Sequence, residues 1–397
     1  MSSPASFVTE KPKIVSKRKS TGIYGLKWFL FGLLITTVAI MVSLFPNIAL
    51  YASIPGGLLS VLLVCWLIVS PLKRFIVFIF CKSVDPTNKS ILITGCDQGL
   101  GHGMALSLNS LGFKVFASCY DPTSSGAALL KQNASNKERM IIFKLDVTND
   151  HYIDYAVEFI TSHLEATPGD VLWAVINNAG LSRTGKLEWG TFDHHFRSLF
   201  EVNTFGVVKV TRAFLPLLRK SFGRVIIISS FGGRVTSSFM TAYAMSKAAI
   251  ICFADGLRLE MMPFGVSVVS VEPVFARTPM MDPQISNQRI DEMWTNTVPS
   301  VQQVYGKEQV DQVKQAIELL HTSPMGLDET YQDVIRCVTR SVISPVPEYV
   351  EQPASFLQKP LNMIVQSIPR EWVDVYLLIV DKILSLIGSI KGKPNNS

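Results

Sequence analysis

Tyr243, Lys247 and Ser230 are the residues of this chain whose types and spacing best suit proton transfer. If residues 243–247 are helical, the four-residue spacing puts the phenol and the ammonium on one helix face, a turn apart. A free tyrosine has a pKa of about 10, and a fixed cation nearby lowers that pKa towards the working range of an acid–base catalyst. Ser230, delivered from the end of a neighbouring strand, would orient a carbonyl or alcohol oxygen in front of the phenol. The trio predicts proton transfer to or from an alcohol, which still needs a hydride acceptor.

A glycine-rich turn upstream is suited to hold that acceptor. Residues 89–103 read Lys-Ser-Ile-Leu-Ile-Thr-Gly-Cys-Asp-Gln-Gly-Leu-Gly-His-Gly, with Gly95, Gly99 and Gly101 in a G-x-x-x-G-x-G spacing. Such glycines permit a tight turn and close backbone approach to a pyrophosphate at a helix N-terminus. The pattern alone is weak evidence. Because it follows an apolar strand and precedes a helix and a second strand, it predicts a dinucleotide site.

Apolar runs alternate with helical stretches through the middle of the chain. Six of these runs are predicted as strands: 90–94, 115–118, 140–144, 172–176, 224–228 and 267–271. Continuous apolar runs are typical of parallel strands that are buried on both faces. The predicted fold is therefore α/β, a Rossmann-like doubly wound parallel sheet over residues 88–345, with N-terminal transmembrane helices and a C-terminal helical extension over residues 346–397.

Four motifs occur in an order that resembles the short-chain dehydrogenase/reductase family. They are Thr94-Gly-x-x-x-Gly-x-Gly101, Asn177-Asn-Ala-Gly180, Asn203 within Glu-Val-Asn-Thr-Phe-Gly, and Ser230 with Tyr243 and Lys247. The phrases at 94–97, 172–180 and 214–220, and the stretch from Trp294 to Tyr305-Gly, are similar to the membrane-bound subgroup of retinol dehydrogenases and hydroxysteroid dehydrogenases. The resemblance covers residues 89–384, which is most of the chain after its apolar start.

The resemblance implies a role for each matching residue. Tyr243 would be the general acid/base, Lys247 would lower its pKa and hold the nicotinamide ribose, and Ser230 would orient the substrate oxygen. Asn203 would hold a water that links Lys247 to solvent. Asp146 would contact the adenine ring and Thr278 the carboxamide. The full set of implied cofactor contacts is Gly95, Gly99, Leu100, Gly101, Asp121, Asp146, Asn178, Ala179, Gly180, Tyr243, Lys247 and Thr278.

One segment departs from the family pattern, and another bears on the choice between NAD and NADP. The usual Pro-Gly pair after the sixth strand reads Pro273-Val274, and valine does not take a positive φ cheaply. The second strand ends Cys119-Tyr120-Asp121, with no arginine or lysine between Lys114 and Lys131. Because Asp121 would repel a 2′-phosphate, the sequence favours NAD. His102 beside the phosphate loop is a source of positive charge that keeps NADP as the alternative.

The N-terminal region predicts a membrane anchor. Residues 28–72 are 45 residues without a charged side chain, which is enough for two spans, Trp28–Phe45 and Ile48–Ser70. A basic tail over residues 1–27 and further basic residues after the second span place both flanks in the cytosol by the positive-inside rule. The expected location is the endoplasmic reticulum membrane with the enzyme facing the cytosol. A single span with a luminal enzyme is the alternative.

The apolar stretch over residues 371–387 has a different character. It carries Asp374, Asp381 and Lys382, which argue against a third span. An interfacial or substrate-lid helix suits the segment better, and a helix packed on the domain is the equal alternative.

Composition narrows the remaining classes. The net charge of +6 is explained largely by the residues that flank the anchor, so it gives no case for nucleic-acid binding. The six cysteines form no C-x-x-C pair, which favours reduced thiols in a cytosolic domain. No metal site is expected, because the adjacent His194 and His195 would point in different directions on a helix. A homodimer is compatible with the family.

The sequence leaves the substrate open. The subgroup resemblance and the anchor both point to a lipid bilayer partner and to a lipophilic alcohol or ketone, a steroid or a retinoid, with apolar residues at 279–283 and 293–294 as candidate pocket residues. A hydroxybutyrate-type dehydrogenase of the mitochondrial membrane is the rival enzyme, since the first 20 residues are basic and rich in serine. A non-catalytic membrane-tethered scaffold is the rival of another class, although neither the tyrosine nor the lysine is lost.

Overall fold

The computed structural model describes residues 82–322, 327–354 and 358–379, together with Gly32 and Thr36. The chain divides into two units, Met1–Ser83 and Val84–Ser397, and the sheet and its helices lie in the second. The predicted spans lie outside the described residues, apart from Gly32 and Thr36. Within the described ranges, no helix is long and apolar enough to cross a membrane.

The second unit is built on a seven-stranded parallel sheet in the order β3-β2-β1-β4-β5-β6-β7. Its strands are β1 Lys89–Ile93, β2 Lys114–Cys119, β3 Met140–Lys144, β4 Val171–Asn177, β5 Arg224–Ile228, β6 Ser267–Val271 and β7 Val350–Glu351. The six predicted strands and the predicted α/β fold with a Rossmann-like parallel sheet are confirmed. The short β7 is an addition that the sequence did not reveal.

Helices cover both faces of this sheet. They are α1 Gly99–Ser110, α2 Ser125–Asn133, α3 Asp150–Glu165, α4 Val207–Ser221, α5 Thr241–Met261, α6 Pro283–Thr295, α7 Pro299–Thr322, α8 Leu327–Ile343, α9 Gln358–Ser367 and α10, residues 370–379. On one face Phe214 of α4 and Ile250 of α5 are buried in a core with Phe116. On the other, Met104 of α1 and Val338 of α8 are buried in a second core. Apolar side chains on both sides of each strand explain the apolar runs in the sequence.

The helix that leads into α4 is irregular. Asp193–Arg197 and Glu201–Gly206 are π-helical, with a short α segment, Ser198–Phe200, between them. Single π turns inside a helix are uncommon and occur often at functional sites. Asn203 lies in the second of these turns and is fully buried.

The strand order changes direction between β1 and β4, where the chain crosses from one half of the sheet to the other. In open α/β sheets, ligands bind in the crevice outside the carboxyl ends of the strands at such a switch point. Gly95 follows β1, Asn178 follows β4 and Ser230 follows β5. The fold therefore collects the sequence motifs at one edge of the sheet.

The C-terminal segment is attached to the loop that follows β5. Arg370 donates from Nη1 to the carbonyl oxygen of Arg234 at 3.2 Å. Gln366 and Gln352 exchange side-chain hydrogen bonds, and Gln352 also donates to Glu272 at 2.9 Å. The part of the apolar C-terminal stretch that the structure describes, up to residue 379, is a helix of the second unit.

Candidate active site

Tyr243 and Lys247 lie in the first two turns of α5. The Lys247 Nζ atom is 5.8 Å from the centroid of the tyrosine ring and donates to the carbonyl oxygen of Ile228 at 2.9 Å. Ser230 comes from the loop after β5, where its Oγ atom accepts a hydrogen bond from Gly232 N at 3.1 Å. The four-residue spacing and the strand-end serine thus bring together the three groups that the sequence singled out.

Burial disfavours the charged forms of both Tyr243 and Lys247. Burial raises the pKa of the Tyr243 phenol, and a hydrogen bond with the Ser230 side chain acts in the opposite direction and lowers it. Burial lowers the pKa of the Lys247 ammonium to about 8. Tyr243 also lies at a helix N-terminus, where the helix dipole favours a negative charge. Ser230 and the helix end therefore favour the phenolate, and Lys247 adds to this only while it is charged.

The Asn203 side chain links its own helical turn to the segment after β4 and to α5. Its Oδ1 accepts from Leu181 N at 2.8 Å, and its Nδ2 donates to the carbonyl oxygen of Leu181 at 2.9 Å and to Ser246 Oγ at 3.0 Å. Both amide hydrogens and one lone pair of Oδ1 are thus used by protein atoms. A water on the expected proton path would have to be held by the second lone pair of Oδ1 or by the backbone of Asn203.

The turn after β1 has the conformation that a diphosphate site needs. Gly95 and Gly99 have φ of 71° and 64°, a region that side chains rarely allow. A Cβ atom on Gly101 would meet the Gly95 carbonyl oxygen at 2.2 Å, so only glycine fits there. The following helix α1 has no side-chain N-cap and no acid in its first turn. Its N-terminal N–H groups are therefore available to an anion.

The Asn177–Gly180 motif is tied to this turn. The Thr94 hydroxyl accepts from the backbone N–H groups of Asn178 and Ala179, each at 3.0 Å. The Asn178 amide donates to the carbonyl oxygens of Thr94 and Gly95 at 2.9 and 3.0 Å. A Cβ atom on Gly180 would lie 3.3 Å from Asn203 Oδ1 and 3.7 Å from Lys247 Nζ, which explains the absence of a side chain.

A cavity of about 1100 Å³ connects these parts. It runs from Asp97 and Asp146 past Gly95 and Gly99 to Tyr243 and Lys247. Of the residues predicted to contact the cofactor, the lining includes Gly95, Gly99, Leu100, Asp146, Asn178, Ala179, Gly180, Tyr243, Lys247 and Thr278. The open helix end, the glycine turn and the volume of the cavity fit a nicotinamide dinucleotide.

Three predicted positions differ from the expectation. Asp121 is not part of the cavity lining, because its carboxylate accepts from the backbone N–H and the hydroxyl of Thr123 at 2.9 and 2.6 Å. Val274 lines the cavity without a positive φ, so the replacement of glycine there carries no backbone strain. Burial lowers the pKa of His102, which weakens its expected role as a source of positive charge.

The substrate end of the cavity includes residues that the sequence did not indicate. Apolar side chains come from the loop after β5, the loop after β6 and the C-terminal helices: Phe231, Val235, Phe239, Met240, Phe275, Met280, Met281, Leu361, Val365 and Leu377. Met280 and Met281 had been predicted. The predicted Met293 and Trp294 instead pack with Trp189 in a separate cluster. Leu377 lies in the stretch for which an interfacial or substrate-lid helix was predicted, whereas Leu361 and Val365 of α9 carry no local signal and are brought to the cavity by the tertiary fold.

No metal-binding group of three or more His, Cys, Asp or Glu side chains occurs among the described residues. His195 is buried beside Met293, with 3.1 Å between Nδ1 and the sulfur, and burial lowers its pKa. Cys96, Cys119, Cys252 and Cys337 are free thiols.

Comparison with known proteins agrees with this geometry. A family model described as short chain dehydrogenase matches residues 89–289. Bovine mitochondrial D-beta-hydroxybutyrate dehydrogenase is 36% identical over 68% of this chain and 78% of its own length. Mouse estradiol 17-beta-dehydrogenase 2 is also 36% identical, over 68% of this chain and 71% of its own length. Mouse retinol dehydrogenase 5 is 36% identical over 58% of this chain and 70% of its own.

Solved structures show the same fold. A short-chain dehydrogenase/reductase from Burkholderia phymatum, in complex with NAD, superposes with a TM-score of 0.57 at 20% identity, over 74% of this chain and 96% of that structure. A short-chain dehydrogenase from Streptomyces avermitilis gives 0.54 at 25% identity, over 74% and 98%.

Proposed function

Because this chain belongs to the short-chain dehydrogenase/reductase family and is an NAD(P)-dependent oxidoreductase, we propose that it moves a hydride between NAD(H) and the alcohol or carbonyl group of a lipophilic substrate. The substrate class is the steroids and retinoids. The observation that carries the proposal is the apolar substrate end of the cavity, which opens beside Tyr243 and Ser230. The non-catalytic scaffold is set aside, because the family membership comes with an intact serine, tyrosine and lysine.

In the proposed mechanism Tyr243 exchanges the proton. When an alcohol is oxidised, the phenolate accepts the hydroxyl proton; when a carbonyl is reduced, the phenol donates it. Ser230 holds the substrate oxygen by a hydrogen bond and also lowers the pKa of the phenol. Lys247, held by the Ile228 carbonyl oxygen, supplies positive charge behind the ring.

The cofactor would be held along the carboxyl edge of the sheet. The N–H groups at the start of α1 would bind the diphosphate, the segment Asn178–Gly180 and Asp146 would line the adenosine side, and Lys247 and Thr278 would hold the nicotinamide half. When bound, the nicotinamide ring accepts or gives the hydride. The residues that line the cavity fit this group without rearrangement of the glycine turn.

The polarity of the cavity supports a neutral substrate. Lys247 is the one basic residue among the described residues that line it, and Asp97 and Asp146 are the acids, both at the far end from Tyr243. A hydroxy acid would need a partner for its carboxylate, because a buried charge without a partner is costly. The apolar rim instead suits a steroid or retinoid skeleton.

A hydroxybutyrate dehydrogenase of the mitochondrial membrane is the second candidate function. It is favoured by the similarity to the bovine, mouse and rat mitochondrial D-beta-hydroxybutyrate dehydrogenases, at 34 to 36% identity. The cavity lining argues against it, because Lys247 would be engaged by the nicotinamide half of the cofactor and no second cation stands at the substrate end in the described part of the chain.

The proposed setting is a bilayer surface, and the C-terminal helices support it. Ile364 on α9 and Trp372 and Leu378 on α10 expose 57%, 65% and 62% of their surfaces. Leu361, Val365 and Leu377 of the same two helices line the cavity. An apolar outer face beside a substrate cavity is suited to contact with lipid, from which a poorly soluble substrate would enter. Residues 28–72 would tether the enzyme to the endoplasmic reticulum membrane, facing the cytosol; protection of the C-terminal unit from protease in sealed microsomes would contradict that orientation.

A substrate panel tests the proposed function. The full chain, solubilised in detergent, is assayed with a steroid alcohol, retinol and 3-hydroxybutyrate, each with NAD and with NADP. The proposal expects turnover of a steroid or retinoid and no turnover of 3-hydroxybutyrate. Turnover of 3-hydroxybutyrate without the lipophilic alcohols would contradict the substrate class and favour the second candidate.

A further inference from the structure

The Asp97 carboxylate is fixed at the end of β2, although the residue belongs to the glycine-rich turn after β1. Its Oδ2 accepts from Tyr120 N at 2.9 Å, and its Oδ1 accepts from Asp121 N at 3.0 Å. The neighbouring Cys96 N donates to the Ser118 carbonyl oxygen at 2.9 Å, which pins the turn to the same strand. The carboxylate therefore has one position, next to the residues where dinucleotide enzymes distinguish their cofactors.

Asp97 also faces the cofactor cavity. It lines that end together with Gln98, Tyr120 and the start of α2, Ser124–Gly126. A Cβ atom on Gly126 would meet the Asp97 carbonyl oxygen at 1.9 Å, so α2 begins in direct contact with the turn. Each carboxylate oxygen accepts one hydrogen bond from the backbone and keeps further lone pairs for a ligand.

Within the described cavity lining, no basic side chain lies next to this carboxylate; Lys144, at the end of β3, acts on Asp121 and is outside the lining. Among the described residues that line the cavity, the one basic group is Lys247, at the other end. The negative charge of Asp97 also acts on a neighbouring residue. Burial is the larger cause, and the charge of Asp97 the next, of the rise in the pKa of the Cys119 thiol to about 12. A 2′-phosphate would place a second anion beside the first, in a partly closed space where such repulsion is strong.

Asp121, the acid that the sequence favoured, is directed elsewhere. Its carboxylate is occupied by the backbone N–H and the hydroxyl of Thr123, and it is not part of the cavity lining. Asp97 and Asp121 are therefore neighbours, but only Asp97 lines the cavity.

We propose that Asp97, rather than Asp121, selects NAD over NADP, by accepting hydrogen bonds from the adenosine ribose hydroxyls and by repelling a 2′-phosphate. This inference rests on the proposed use of NAD(H) and adds the residue that determines it. The specificity would come from the turn after β1, held in place by the backbone of β2.

Nucleotide binding tests the assignment without an alcohol substrate, so its outcome is independent of the substrate class. The dissociation constants of NADH and NADPH are measured from nucleotide fluorescence on the full chain in detergent, for wild type, Asp97→Asn and the matched control Asp121→Asn. Wild type should prefer NADH. Asp97→Asn should lower that preference roughly ten-fold or more, because a hydrogen bond to a charged group usually changes affinity by at least this factor. Asp121→Asn should leave the preference within about two-fold of wild type.

A second variant tests whether a change in preference comes from loss of the carboxylate rather than from damage to the turn. Asp97→Ser keeps a hydroxyl that can accept from the backbone N–H groups, and it should shift the preference in the same direction as Asp97→Asn. Equal binding of NADH and NADPH by wild type, or a shift in preference with Asp121→Asn and not with the Asp97 variants, would overturn the assignment.

Discussion

At the scale of single residues, the proposed chemistry depends on how Tyr243 reaches its charged form. Burial raises its pKa, and the Ser230 hydroxyl lowers it. Lys247 is expected to help only while it is charged, and burial lowers its own pKa to about 8. The serine is therefore expected to do two things, to hold the substrate oxygen and to favour the phenolate.

Replacement of Ser230 by Ala tests this double role. In wild type, alcohol oxidation should become faster as the pH rises from about 7, because the phenolate is the base and its population grows with pH. The rise should become less steep above about pH 8, where Lys247 loses its charge. Ser230→Ala should lower the rate roughly 100-fold and move the rising limb to higher pH, because the influence that lowers the phenol pKa is lost. The measurement is kcat/KM against pH for both proteins. A lower rate with an unmoved limb would show that Ser230 only orients the substrate.

The sequence predicted which candidate site residues lie together better than it predicted their individual contacts. The proximity of Tyr243, Lys247 and Ser230 was predictable because the helix spacing and the strand end are local properties. The engagement of the Asn203 side chain with Leu181 and Ser246 depends on a π turn that no propensity predicts. The different directions of Asp97 and Asp121 depend on one turn of backbone against β2, which is likewise invisible in a linear pattern.

At the scale of elements, the six long strands were predictable because each is a short apolar run with a turn on either side. β7 was not, because Val350–Glu351 lies in a proline-rich stretch and pairs with β6 through two residues. The pairing of β7 with β6 positions the residues that follow both strands, because Gln352 after β7 donates a hydrogen bond to Glu272 after β6. The loops that carry Ser230 and the C-terminal helices meet at this point.

The ion pair of Arg234 with Glu272 is expected to stabilise that junction. Arg234 donates from Nη2 and Nε to the two carboxylate oxygens at 2.8 and 3.1 Å, and Glu272 is fully buried. Arg234→Ala would leave a buried carboxylate with neutral donors alone. Because Arg234 is itself partly exposed, the expected loss is about 2 kcal/mol of the free energy of unfolding, below the value for a fully buried pair.

Denaturant unfolding in detergent measures this loss. The matched control is Arg197→Ala, which breaks an exposed pair with Asp193 at 2.6 Å and should cost less than about 1 kcal/mol. Equal losses in the two variants would mean that the Arg234 pair has no special role at the junction.

At the scale of the whole molecule, one cavity is completed by distant parts of the chain. The glycine turn, α5 and the C-terminal helices all contribute lining residues. The fold class was predictable from alternating patterns, and the stretch over residues 371–387, which contains most of α10, was predicted as an interfacial or substrate-lid helix. The contribution of α9 was not predictable, because nothing local marks a helix that folds back over a site. Their outward apolar side chains support the proposed bilayer contact.

Trp372 provides a probe of that contact. In vesicles made with brominated acyl chains, the fluorescence of the reconstituted full chain should be quenched in part through Trp372, because bromine quenches tryptophan at short range. Trp372→Phe should lose this component, whereas Trp294→Phe, which changes a residue of the separate Trp189 cluster, should keep it. Any contribution of Trp28 and Trp66 is common to all three proteins. Unchanged quenching in Trp372→Phe would contradict contact of α10 with lipid.

The central claim is that Tyr243 exchanges the proton in a nicotinamide-dependent oxidation. The most direct measurement compares wild type with Tyr243→Phe, using the panel alcohol that wild type oxidises fastest, together with the dissociation constant of NADH. We expect turnover to fall roughly 1000-fold while NADH binding changes by less than about two-fold, because phenylalanine fills the same space without the hydroxyl. Turnover within ten-fold of wild type, with NADH still bound, would contradict the role of Tyr243.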